Sequence, residues 1–134
     1  MHSETILDPV SGRPAAVGRL RSADNRGLMS MESKLIMELD NSQDTNDFEG
    51  RLANDVFTLA DVYIERGMLS GAELVLRHLL DNQERVLGIM HSAVGYSVDK
   101  LGALLRSTGR YVEADVIEIR HNFLQRKAFD HEIL

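Results

Sequence analysis

The chain has no cysteine and no tryptophan, only two prolines, and aromatic residues fill just 5% of its 134 positions. Without cysteine there is no disulfide framework, no thiolate metal ligand and no thiol nucleophile. The scarcity of proline and aromatics leans toward helix and away from a β-sandwich. No apolar run approaches the roughly 18 residues that a membrane span requires. The first residues include Glu4 and Asp8 and show no basic-then-apolar layout, so no secretory leader is expected and the cytoplasm is the expected compartment. Positive charge is also in deficit, with a formal net charge of −6. Such a chain gains nothing from neutralising phosphates, so neither nucleic acid nor a membrane is expected as partner.

What is present suits one folded domain, with 43% hydrophobic and 27% charged residues. Residues 1–28 hold both prolines and no sustained period, which predicts a flexible arm with a short helical patch around residues 15–20. Residues 29–50 divide into a short amphipathic helix over 30–40, carried by Met31, Leu35 and Leu39, and an acidic loop, NSQDTNDFEG. From residue 51 to 130 helical periodicity is dense, and residues 131–134 are left as a tail.

This last part repeats itself. RGMLSGAE (66–73) and TGRYVEAD (108–115) superpose at an offset of 42 residues, which also pairs Leu52 with Val94, Val56 with Val98, Leu59 with Leu101 and Ala72 with Ala114. Self-similarity at such a period predicts stacked supersecondary units. In each unit the apolar residues of the first helix follow one helical face, with the small residues Ala60 and Gly102 at the same position. Gly67 and Gly109 stand where that helix must end, and glycine tolerates the left-handed C-terminal cap. Ser70 and Glu73 have the spacing of a capping box for the next helix, with Leu69 and Leu74 as its staple. The predicted unit is a helical hairpin, present twice, over 51–91 and 94–130.

These residues resemble the tetratricopeptide repeat, in the 42-residue version typified by kinesin light chains. The resemblance rests on Leu59, Ala60, Tyr63, Gly67, Leu69 and Ala72, then Leu101, Gly102, Leu105, Gly109, Tyr111 and Ala114. The linker adds Val86, Leu87, Gly88 and His91, with Ser92 in place of the family's usual proline. Glu118 and His121 depart from the pattern, as terminal repeats often do. The implied fold is an all-α solenoid of two clear hairpins with one preceding short helix. Two units are fewer than the three usually needed, so the preceding helix or another chain must supply cover.

The resemblance also implies a concave groove lined by first-helix residues, here Asn54, Phe57, Asp61, Tyr96, Asp99 and Arg106. It is largely acidic, which favours a ligand of basic character, with Arg106 available to pair a carboxylate. The last helix carries two apolar stripes on nearly opposite sides. One is Ala114, Ile117, His121, Leu124 and Ala128; the other is Val112, Val116, Ile119 and Phe123. If one packs on the preceding helix, the other is either covered by the N-terminal helix, left partly exposed, or used for self-association as a homodimer.

No catalytic constellation is present. His91 reads as a helix-start contact, His78 as a flank residue, His121 as a core or interface histidine, and His2 and His131 lie near the termini. There is no H-E-x-x-H motif, no P-loop, and the acidic loop lacks the turn glycine and terminal glutamate of a calcium site. No cofactor, metal or enzymatic activity is expected. The expected function is protein–protein interaction, as adaptor, scaffold or small regulatory subunit. The alternatives are a secretion or assembly chaperone for one client and, further off, phosphotransfer through His78 or His121.

Overall fold

The computed structural model describes residues 20–133, the side chains of the last five excepted. After a helical turn at 20–22 come α1 (Asn25–Asn41), a π-helical turn (Asp47–Arg51), α2 (Leu52–Glu65), α3 (Leu69–Leu87), α4 (Ser92–Ser107) and α5 (Tyr111–Ile133). No strand occurs among the described residues, so the fold is all-α. Helices α2 and α3 pair as one hairpin, α4 and α5 as a second, and α3 packs on α4 to join them. No helix among the described residues is long and apolar enough to cross a membrane.

Both hairpin turns are built identically. The Met68 N–H donates to the Tyr63 carbonyl at 2.8 Å and the Gly67 N–H to that of Ile64 at 3.0 Å. Forty-two residues on, Arg110 donates to Leu105 at 2.8 Å and Gly109 to Arg106 at 3.0 Å. This paired pattern is a Schellman motif, and it requires the left-handed φ of +75° at Gly67 and +82° at Gly109. The capping box does not form. Helix α3 begins at Leu69, one residue before Ser70, and its N-cap Met68 makes no side-chain cap bond. Glu73 is drawn instead to Arg77 and, from the second hairpin, to Arg110. Those guanidinium bonds, Arg110 foremost, hold its carboxyl below the usual carboxylate range against the opposing effect of burial.

The core follows the repeat. Leu52, Val56, Leu59, Ala60 and Tyr63 are buried, and so are Val94, Val98, Leu101, Gly102 and Leu105. His91 caps α4 through its Nδ1, which accepts from the Ala93 N–H at 3.0 Å, while its Nε2 meets Glu49 at 2.7 Å.

The segment before the hairpins is more ordered than expected. Helix α1 starts at Asn25, inside the span read as arm, because the Asp24 carboxylate accepts from the Gly27 N–H at 2.7 Å and caps it. It buries Leu28, Leu35 and Leu39, and packs on α2 and α3. The Tyr63 hydroxyl donates to Glu32 at 2.7 Å, and Arg85 donates to the carbonyls of Leu39 and Ser42. Burial first, and then the Glu32 carboxylate, push the Tyr63 phenol well above its ordinary range. Helix α1 therefore covers the outer side of the first hairpin and not the last helix. Leu20 is buried; the rest of the predicted patch at 15–20 lies outside the described residues. The acidic loop is likewise no simple solvated linker. Its second half winds into the π-helical turn and buries Phe48 completely. At the other end, α5 runs through Ile133 where a tail was expected.

Helical glycines show how closely these helices approach. A Cβ at Gly71 would lie 2.8 Å from the ring of the fully buried Tyr63, which has nowhere to move. At Gly95 the nearest atom is His121 Nε2 at 3.6 Å, an ordinary contact. The same substitution should thus act with opposite sign. Gly95→Ala is expected to stabilise by up to about 1 kcal/mol through helix propensity. Gly71→Ala is expected to destabilise by about 1–2 kcal/mol, overpacking outweighing that gain. Chemical denaturation of the two variants side by side checks this, and equal shifts would contradict the packing at Gly71.

Candidate functional site

Helices α2 and α4 bring part of the expected groove together. Phe57 on α2 and Tyr96 on α4 meet edge to face, with ring centroids 5.1 Å apart and planes at 75°. Asn54 and Asp99 are exposed and occupy the positions 42 residues from Tyr96 and Phe57 respectively. Asp61, two turns along α2 from Asn54, is half-buried.

A residue absent from the sequence reading completes this cluster. The Lys100 ammonium lies 5.3 Å from the Phe57 ring centroid, 5.7 Å from that of Tyr96 and 3.9 Å from Asp61 Oδ1. Two ring faces and a carboxylate thus surround one cation, an arrangement worth about 0.5–1 kcal/mol per ring at a partly exposed site. The signal available in the sequence was the spacing of Tyr96 and Lys100, one helical turn apart, but the approach of Phe57 comes from another helix. Lys100 also offsets one of the two acidic side chains, so the groove is less acidic than its expected lining.

Arg106 does not join the groove cluster. Its guanidinium donates to both carboxylate oxygens of Glu118 at 2.6 and 2.7 Å, and to Asp115 at 2.7 Å. The cause is Glu118, which stands where the first hairpin has the buried Leu76. It lies over Gly102, so close that a Cβ there would meet its carboxylate at 2.4 Å. The Arg106 bonds hold the Glu118 carboxyl below its usual range, so Arg106 pairs a carboxylate of its own chain and not one of a ligand.

On α5 the two stripes are resolved. Ala114 and His121 are buried, and Ile117, Leu124 and Ala128 partly so, making this the packed side. Val112, Val116, Ile119 and Phe123 are exposed by 76, 57, 66 and 57%. Lys127 lies 5.6 Å over the Phe123 ring, one turn away. His121 is only 6% exposed, and its Nδ1 has no hydrogen-bond partner. His78 is half-exposed beside Asp40, 3.7 Å away. Among the described residues no three His, Asp or Glu side chains converge as a metal site would require. Comparison of the chain with protein-family models, with curated proteins and with solved structures returns no match.

Proposed function

We propose that the chain is a non-catalytic protein-interaction module of the tetratricopeptide-repeat type, acting in the cytoplasm as an adaptor, scaffold or small regulatory subunit. The observation that carries this reading is the Phe57–Tyr96 contact, in which one aromatic from each hairpin forms a single surface flanked by Asp61 and Lys100. Rigid aromatic side chains on packed helices are what peptide-recognition surfaces use as anchors, with nearby polar groups setting specificity. The two rings and Asp61 already accommodate an ammonium, that of Lys100, and the exposed Asp99 adds a second carboxylate on α4, so the surface has the chemistry that receives a cation. The ligand of this groove is therefore a peptide segment of basic character. The apolar stripe of α5 serves as a second docking face.

The test is binding of two labelled peptides of equal length, one rich in Lys and Arg and the other in Asp and Glu. The basic peptide is expected to bind about tenfold more tightly, a difference of roughly 1.4 kcal/mol. Phe57→Ala and Asp61→Asn should each remove most of that difference. Equal binding of the two peptides would overturn the ligand class, and binding unaffected by Phe57→Ala would remove the groove from the reading.

A further inference from the structure

The exposed stripe of α5 is not a feature that the hairpin design requires. Its 42-residue counterparts on α3 are Ser70, Leu74, Arg77 and Asp81, three of them polar. The first hairpin folds with a polar outer face, whereas the second adds four apolar side chains there in excess of its packed side. Nothing on α1 covers them, because α1 packs on α2 and α3. A continuous apolar face of this kind marks an interface.

The spacing of the stripe says what fits it. Val112, Val116, Ile119 and Phe123 stand four, three and four residues apart, the same in either direction. That 4-3-4 pattern, shared with the buried faces Leu52–Val56–Leu59–Tyr63 and Val94–Val98–Leu101–Leu105, is a face shaped to pack on another helix, about 17 Å long at the α-helical rise. A two-fold axis between Val116 and Ile119 sets Val116 against the partner's Ile119 and Val112 against the partner's Phe123. Small then meets large at both ends, so the helix separation stays even. A parallel pairing would crowd Phe123 against Phe123 at one end and leave Val112 against Val112 at the other. The flank also matches. Glu113 and Arg120 lie on one edge of the stripe, one position after Val112 and Ile119, with side chains 50% and 56% exposed. Across the axis each faces the opposite charge of the partner. Glu113 already pairs with Arg110 and Arg77, and Arg120 with Glu84, so the cross-axis pairs would add to in-chain bonds and contribute orientation more than affinity.

We propose that the stripe is occupied by the same stripe of a second copy, forming an antiparallel α5–α5 homodimer; this rests on the reading of the chain as an interaction module and names the partner of one of its faces. A pairing limited to three turns of helix falls below the roughly 1,200 Å² of total buried surface at which stable specific interfaces begin. The dimer is therefore expected to dissociate on dilution.

Sedimentation velocity over a hundredfold concentration range tests it. The wild-type chain should pass from monomer to dimer, while Phe123→Asp stays monomeric with unchanged helicity, since that side chain is exposed in the single chain. Val116→Asp is a second variant should the first lose its fold. Orientation is read by disulfide trapping, for which the absence of cysteine leaves no background. Val112→Cys and Phe123→Cys chains, mixed and oxidised, should give the mixed disulfide between the two. A wild-type monomer at every concentration, a dimer that survives both aspartate variants, or disulfides only between like chains would each overturn the proposal. Peptide binding in the groove is measured separately, so a monomer that still prefers the basic peptide would sink the dimer and leave the interaction reading standing.

Discussion

Replacing Phe48 by alanine is expected to lower the stability of the chain by about 3–5 kcal/mol, the range for removing a fully buried phenylalanine. The side chain is completely inaccessible and belongs to the core cluster, although its neighbours in sequence are Asn, Asp, Glu and Gly. The π-helical turn that carries it packs on α2 and α3 and fastens the start of the first hairpin. A solvated linker would tolerate the same change within about 0.5 kcal/mol. Urea unfolding decides between the two, and a loss below 1 kcal/mol would mean that Phe48 is not packed as described. No partner or ligand is needed for this experiment, so its outcome is independent of any view of function.

The second large effect is expected at Gln83, which is fully buried between the π-helical turn and the second hairpin. Its amide N–H donates to the Phe48 carbonyl at 3.0 Å and its carbonyl oxygen accepts from the Ser97 hydroxyl at 2.5 Å. Gln83→Leu keeps most of the volume but leaves both partners buried and unpaired, at about 1–3 kcal/mol each. A total loss of roughly 2–6 kcal/mol is expected. Adding Ser97→Ala should then recover about 1–2 kcal/mol, because it removes one of the two orphaned groups. A double variant that is the sum of two separate losses would show that Gln83 and Ser97 are not coupled. The same residue bridges three elements, which makes it the internal tie between the segment before the hairpins and the hairpins themselves.

How much of this was legible depends on the range over which each feature is decided. Gly67 and Gly109 announce their turns because a left-handed φ is a local demand that glycine meets and most residues do not. The core positions of α2 and α4 are legible twice over, once by helical spacing and again by the 42-residue repeat. The onset of α1 was present in the sequence as Asp24 three residues before Gly27, but no apolar period begins until Leu28, so composition pulled the reading toward a loop. Phe48 and Gln83 carry no such local mark. One is a lone aromatic in a polar stretch and the other a polar residue in a helix, and the hydrogen bonds of Gln83 that tie them in reach partners at least 14 residues away in sequence. The Ser70–Glu73 cap failed for a related reason. Its spacing was right, but Arg110, 37 residues on, offers Glu73 a charge-assisted bond that a backbone N–H does not match.

By itself, then, the sequence determined the all-α class, the period of the hairpins, their turns, and the two apolar stripes of the last helix. All of these follow from backbone preferences and from the 3.6-residue turn, which need no knowledge of neighbours. Only the tertiary structure decided which stripe is buried, that Arg106 is spent on Glu118 and Asp115, that Lys100 stands between Phe57 and Tyr96, and that α1 covers the first hairpin and leaves α5 open. Helical periodicity says which residues share a face, but which face is covered is set by the element packed against it, and that element comes from elsewhere in the chain.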